Sequence, residues 1–478
     1  MLKDTAKKDN IELPKMANNQ LNVADLTKKL NETKKEISNK TFVDKKIDDI
    51  NDGNNVFGVG KVIKVNDYIL IASGLENVSY FENVRIGNKA FGYVTKLSAH
   101  DVTIALLEEK EKVNVGDIVY QTNQELTGSF SIDSLGHIID MFGNDKLVNK
   151  KFENLIELKL EQKNIPIMDR TTVNRPLLTG IAGIDLMYPI GKGQREVIIG
   201  DRKTGKTQIC LDTIMNQKGK NVFCIYVAIG KTKKEVKEIY YELLKRGGMD
   251  YTIMITAFND EKPSVVTMTP FFALAVAQYI MMQKKDILVV IDDLKRHADA
   301  YREISLLSNK APGREAYPAD IFYLHSRLLE KGCQYKNGGS ITIIPVTTIK
   351  GGDITDYITT NIISITDGQI VLSAKNFNEG RKPAINYPLS VSRLGGQVQD
   401  ENIKKIGNAI RNKLLSYLES KEIYELANTD ELPEELQKKL ISGKELLDSL
   451  IQYKFNLMTD VDIVNKFSKF VEKDNVKS

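Results

Sequence analysis

The chain has no tryptophan, and only three cysteines and four histidines among 478 residues. Cys210, Cys224 and Cys333 are odd in number and lack C-x-x-C spacing. That excludes a disulfide framework and a zinc site, and it suits a reducing cytoplasm. His100, His137, His297 and His325 are scattered and form no metal-ligand cluster in sequence. An excess of one charge is also missing. With 67 basic and 63 acidic residues the net charge is +4, which argues against a dedicated nucleic-acid binder, whose basic excess is plain. No apolar run is long enough to cross a bilayer. The most apolar stretch, MTPFFALAVAQYIMM at 268–282, falls short of the roughly 20 residues required and reads as a buried helix. The first residues, MLKDTAKKDNIELPK, have no apolar core and mix both charge signs, so they do not form a signal peptide.

What is present is ordinary globular material: 42% hydrophobic and 27% charged residues. A chain of 478 residues is too long for one core, so several domains are expected. Residues 1–50 form a charged N-terminal arm in which Val23, Leu26, Leu30 and Ile37 recur at helix-like spacing. Residues 51–124 contain short β-branched runs, VFGVGKVIKV, DYILIAS, KAFGYVTKL, DVTIALL and GDIVY, separated by Gly, Asn and Asp. They predict a small antiparallel β-barrel. Residues 125–400 begin with a turn-rich connector and then alternate strand and helix. REVIIG, NVFCIYVAI, YTIMITA, DILVVIDD and SITIIPVTT are near-continuous apolar strands, the pattern of a mostly parallel sheet covered on both faces. Residues 401–478 are helical, with apolar residues at three and four spacing in KKIGNAIRNKLLSYLES and ELQKKLISGKELLDSLIQ.

After REVIIG comes GDRKTGKT, residues 200–207, which fits G-x-x-x-x-G-K-[ST]. A strand, a glycine loop and a helix start suit a phosphate group. Backbone N–H groups converge on the anion and the helix dipole adds positive potential. Gly200, Asp201, Arg202, Lys203, Thr204, Gly205, Lys206, Thr207 and Gln208 are the candidate nucleotide-binding residues. Lys206 would reach the β- and γ-phosphates, and the Thr207 hydroxyl would ligate Mg²⁺. DILVVIDD ends in Asp292 and Asp293 at the C-terminal edge of the sheet, where open α/β sheets bind ligands. Asp292 is the candidate second-shell or water-mediated Mg²⁺ contact. Hydrolysis would further need a carboxylate to orient the attacking water. After the strand NVFCIYVAIG stand Lys231, Thr232, Lys233 and Lys234, and the first acid is Glu235. The loop is equipped to bind ATP or ADP and poorly equipped to cleave it.

GDRKTGKT, IYVAIG, APGREAYPADIFYLHSRLLEKG, NIISITDGQI and PAINYPLSVSRLGG resemble the α subunit of F-type rotary ATPases. LLTGIAGIDLMYPIGKGQREVIIGDR resembles that subunit's approach to its P-loop. The resemblance runs from about residue 56 to the C-terminus. It implies a β-barrel domain, a RecA-like P-loop domain and a helical C-terminal domain. It also implies an alternating ring of three α-type and three β-type chains around a central γ-type shaft. The α site itself is noncatalytic in this family, and its SVSR arginine, here Arg393, enters the neighbouring catalytic site. A planar, permanently charged guanidinium suits developing phosphoryl charge. The family also implies nucleotide contacts at Lys382 and, near the adenine, at Gln452. Such a chain would be cytoplasmic, at the inner face of the membrane, and would meet the membrane only through its partners.

Four positions depart from the family pattern: Lys203 and Lys231 where glutamine is usual, Lys382 where arginine precedes the Pro of PAIN, and Leu450 in place of a glutamine. With the abundance of Lys, Asn and Ile, a bias of AT-rich coding, these resemble the divergent F-type-like ATPases of wall-less bacteria, one group of which serves gliding motility. Stalk or motility proteins would then be further partners. Two other readings compete. A Rho-like RNA translocase would need a water-activating acid near Lys231, and RNA-stacking aromatics with basic residues in the barrel; Phe57, Tyr68, Tyr80, Phe81 and Phe91 are the aromatics available. A nucleotide-stabilised scaffold of a motility machine would need no turnover at all.

Overall fold

The computed structural model describes residues 58–424 and 433–471. The charged arm expected over 1–50 lies outside them, as does Phe57. Six antiparallel strands close a barrel: β1 (Val59–Asn66), β2 (Ile69–Ser73), β3 (Glu82–Ile86), β4 (Ala90–Leu97), β5 (Asp101–Glu109) and β6 (Ile118–Glu125), in the order β1-β2-β5-β4-β3-β6. Closure leaves no open edge to pair with another chain. The apolar runs account for five of these strands. The sixth, β3, was not legible as a run because it carries Glu82 and Arg85. Glu82 is nevertheless buried; its carboxylate accepts the backbone N–H groups of Ser79 and Asn123 at 2.9 and 2.8 Å. Gly92 permits the closest approach in the barrel, because a Cβ there would stand 2.3 Å from the Ala105 carbonyl oxygen.

The central domain is built on a parallel sheet. Only the strands that place the site are numbered: β7 (Val197–Gly200), β8 (Val222–Lys231), β9 (Thr252–Phe258), β10 (Asp286–Asp292), β11 (Ser340–Thr348), β12 (Gly368–Leu372) and β13 (Val391–Ser392). Their order is β9-β8-β10-β11-β7-β12-β13, parallel throughout except that β13 runs antiparallel to β12. β8, β9 and β10 are buried on both faces, which is why they read as unbroken apolar runs rather than alternating ones. The helices among them are α1 (Lys206–Met215), α2 (Lys233–Lys245), α3 (Pro263–Met282), α4 (Leu294–Leu307), α5 (Ile321–Leu329) and α6 (Tyr357–Ile365).

Helix α3 begins five residues before the apolar stretch that announced it, with Pro263 in its first turn, where a missing N–H costs nothing. Its 20 residues make it the one helix among those described that is long and apolar enough to cross a membrane; 83% of its most apolar window is buried within the protein. It packs across β8, β9 and β10. Its start meets the barrel, where the Ser264 hydroxyl donates to the Leu106 carbonyl. Lys262 pairs with Glu109 at 3.1 Å, and Tyr68 donates to Glu303 at 3.1 Å across the same junction.

Three helices, α7 (Glu401–Ile423), α8 (Glu434–Ser449) and α9 (Asp460–Phe467), form the C-terminal part. Ile403, Ile406, Ile410, Leu414 and Tyr417 are buried at the spacing of one helix face. That face joins the core of the central domain through the Ala182–Met187 helix. The approach is closest at Gly407, where a Cβ would lie 2.3 Å from the Leu186 carbonyl oxygen. Gly407→Ala is therefore expected to lower stability by about 1–3 kcal/mol, the usual cost of overpacking, despite alanine's better helix propensity. Thermal unfolding of the variant measures this; an unchanged midpoint would mean that α7 does not bear on Leu186.

Candidate functional site

Strand β7 delivers the chain into the loop 201–205, and α1 starts at Lys206. Gly205 caps the helix with φ 99°, a left-handed conformation that side chains resist. Apart from its chain neighbours, nothing lies within 4 Å of the position its Cβ would take, so glycine is required here by conformation rather than by space. Lys206 is buried, and its ammonium donates to the carbonyls of Gly200 and Asp201 at 2.8 and 2.6 Å. Burial pushes its pKa down, opposed by the charges of Asp293, Asp292 and Asp201. Thr204 donates to the Asp201 carbonyl at 2.8 Å and pins the turn. Arg202 and Lys203 are exposed at the loop's tip.

Across from the loop, at the end of β10, stands Asp292. Three groups converge on its Oδ2: the hydroxyls of Thr207 and Tyr226, each at 2.7 Å, and the Lys231 ammonium at 3.0 Å. Burial would push the Asp292 pKa up, but the Lys231 charge and the hydrogen bonds outweigh it and hold the carboxyl below its usual range. Sequence reasoning missed Tyr226. The contact follows from the fold: β8 and β10 are parallel neighbours with Ala228 opposite Asp292, and Tyr226 shares one face of β8 with Ala228.

The neighbouring Asp293 does other work. It caps α4, accepting the N–H groups of Lys295 and Arg296 at 2.6 and 3.2 Å, and it also accepts from the Thr348 hydroxyl. Burial and the Asp292 charge push its pKa up. Glu235, the first acid after β8, is likewise occupied as a helix cap. Its Oε2 accepts from the N–H and the hydroxyl of Thr232, both at 2.8 Å, in the capping box that starts α2.

The remaining expected nucleotide contacts are not all gathered at the loop. Gln208 donates to Asp212 at 2.8 Å, and Asp212 also accepts from the Phe455 N–H at 2.9 Å. Gln208 thus faces the C-terminal segment. Gln452 is buried, its carbonyl accepting from the Ala182 N–H at 3.0 Å and its amide donating to the carbonyls of Gly180 and Asn456 at 2.6 and 2.5 Å. That amide is spent on backbone and is not held open for a base. The Gln452 N–H donates to the Lys382 carbonyl at 2.6 Å, which brings these two candidate positions together. Lys382 itself is exposed, with its ammonium 5.3 Å from the Phe377 ring centroid. A cavity of about 280 Å³ opens beside it, lined by Lys382, Pro383, Tyr387, Leu447 and Leu450 among others.

Arg393 is elsewhere. It follows β13 directly, is exposed, and donates to the Ile363 carbonyl at 3.3 Å. In register, Gly200 is opposite Leu372, while Ser392 is opposite Gly368 at the other end of β12. Four residues of strand separate the two levels, about 13 Å at the usual rise. Arg393 therefore lies at the far end of its strand pair from its own phosphate loop.

Two family models match the chain. The ATP synthase alpha/beta family nucleotide-binding domain covers residues 180–392, and the beta-barrel domain of the same family covers 58–123. The ATP synthase subunit alpha of Acetivibrio thermocellus is 41% identical over 415 residues, covering 86% of this chain and 82% of that protein. The chain belongs to the ATP synthase alpha/beta family. The relatives named here are alpha chains. The ATP synthase subunit alpha of Lactobacillus johnsonii is 42% identical over 420 residues, 86% of this chain and 82% of that one. That of Ureaplasma parvum serovar 3 is 43% identical over 392 residues, 81% of this chain but 49% of the relative, so the match spans about half of that protein's length. The matched domains contain the phosphate loop, Asp292 and Lys231, and the nucleotide-binding match ends one residue before Arg393. The chain is accordingly an alpha-type nucleotide-binding member of the F-type ATPase family.

Proposed function

We propose that this chain binds ATP at its own phosphate loop without cleaving it, and lends Arg393 to the catalytic site of a β-type neighbour in an alternating ring around a γ-type shaft. The observation that carries the first half is the fate of the acids. Asp292 is engaged by Thr207, Tyr226 and Lys231, Asp293 caps α4, and Glu235 caps α2. None of the three is free to orient a water, which general-base catalysis requires. The second half is supported by the exposure of Arg393 at the end of its strand pair remote from the loop. On this reading the domains are the barrel at 51–124, the RecA-like unit at 125–400 and the helical unit at 401–478, and any membrane contact is made by partners.

The barrel aromatics favour this reading over an RNA translocase. Tyr68 is buried against Glu303, Phe81 is buried and stacks on Tyr93 with ring centroids 5.7 Å apart, and Phe91 packs against the core. Of the described candidates only Tyr80 is exposed, and one ring is no stacking platform for a strand of bases. The gliding specialisation rests on Lys203, Lys231, Lys382 and Leu450, and the proteins that co-purify with the native complex decide it. The proposal itself is tested on the purified chain. It should bind ATP yet turn it over no faster than background; steady multiple turnover by the chain alone would overturn the noncatalytic role.

A further inference from the structure

A phosphate loop of this kind ordinarily works with Mg²⁺, and Thr207 and Asp292 are the residues that would hold it. The donor set does not fit. The Asp292 oxygen that would face the ion's water shell already carries the Lys231 ammonium at 3.0 Å. The Asp292 side chain is buried at 4% exposure, and the partly buried Lys231 side chain is only 12% exposed. The ammonium therefore has no ready retreat into solvent. A divalent cation entering here would compete with it for one carboxylate and repel it at close range. Asp293 and Glu235 offer no alternative ligand, because both are occupied as helix caps.

We propose that the Lys231 ammonium stands in for the divalent cation, so that this chain binds a nucleoside triphosphate without Mg²⁺. The charge count supports the exchange. Lys206 and Lys231 are directed at the site, and Arg202 and Lys203 stand at the tip of its loop. Lys203 and Lys231 together bring two positive charges, as many as the ion would. Unlike the ion, Lys231 is fixed to the strand that ends beside Asp292, so its position is set by β8 and needs no ligand shell. A lysine also cannot polarise a water for attack as a metal can, which agrees with a site that holds its nucleotide.

The inference rests on the reading of this loop as a nucleotide site, and one titration separates the two. The full-length chain is titrated with ATP by calorimetry, in buffer containing MgCl₂ and in buffer containing EDTA. The expected dissociation constants agree within about fivefold. A larger loss of affinity in EDTA overturns the inference while leaving the nucleotide site intact. No binding in either buffer overturns the nucleotide site itself, and the inference with it. Lys231→Gln removes the charge and keeps a polar side chain. It should bind ATP in MgCl₂ but lose about tenfold or more in EDTA; equal affinity in both buffers would show that Lys231 is not the cation. Should this variant fail to fold, the wild-type pair of titrations still decides.

Discussion

Arg393→Ala in the assembled complex is expected to lower the ATPase rate by roughly 10³–10⁵, the contribution of an arginine finger supplied from a neighbouring chain. Nucleotide occupancy of this chain's own loop should not change. The register places Arg393 beside the start of β12 and the phosphate loop level with its end, so the guanidinium is not among the groups that hold the chain's own nucleotide. Assembly should survive as well. Arg393 is exposed, and its side chain makes one long hydrogen bond, to the Ile363 carbonyl at 3.3 Å, so little folding energy depends on it. Arg393→Lys keeps the charge but loses the fork that can grip two phosphoryl oxygens at once, and it should be severely impaired too. The measurement is the ATPase rate of the reconstituted complex, with bound nucleotide counted in the same preparation. A rate within about tenfold of wild type would amount to only ~1.4 kcal/mol of barrier, too little for a finger, and the role would have to be given up.

The sequence made the frame of this site legible and left its side-chain wiring hidden, for physical reasons that particular residues show. The strands β7, β8, β9, β10 and β11 could be read because burial on both faces demands unbroken apolar runs. The loop could be read because only a glycine-rich turn before a helix presents so many N–H groups to an anion. Strand β3 could not be read, since Glu82 breaks the apolar alternation and is buried through hydrogen bonds that other segments supply. The absence of an acid at Lys231 was visible, but its pairing with Asp292 was not. That contact depends on the parallel register of β8 and β10, which sets Ala228 against Asp292, and register is fixed by the fold as a whole. Asp292 and Asp293 are adjacent and chemically identical, yet one faces Thr207 and the other caps α4. Gln452 is the converse case. It stands beside Lys382, but the direction of its amide, toward Gly180 and Ala182, follows from how α8 and the segment after it dock.

Lys206→Ala is expected to weaken ATP binding by this chain on the order of a hundredfold, the loss that about 3 kcal/mol of charged hydrogen bonding implies. The ammonium sits inside the loop, against the carbonyls of Gly200 and Asp201, and it is the buried cation nearest the turn where the phosphates would lie. Its removal should not unfold the chain. Alanine is the best helix former, position 206 is the first residue of α1, and each freed carbonyl keeps another donor, Gly200 the Ile349 N–H at 3.2 Å and Asp201 the Thr204 hydroxyl at 2.8 Å. Arg202, Lys203 and Lys231 remain, so some affinity should persist, and it should be the part most sensitive to salt for the two exposed side chains. The decisive comparison is between binding and turnover. If the catalytic site belongs to the β-type neighbour, a complex carrying Lys206→Ala should assemble and keep a substantial fraction of its ATPase rate, because the substituted loop holds a nucleotide that is not consumed. Complete loss of turnover with normal assembly would make this loop catalytic. It would then require some carboxylate other than Asp292, Asp293 and Glu235 to activate water, since Asp292 is engaged by Thr207, Tyr226 and Lys231 and the other two cap helices.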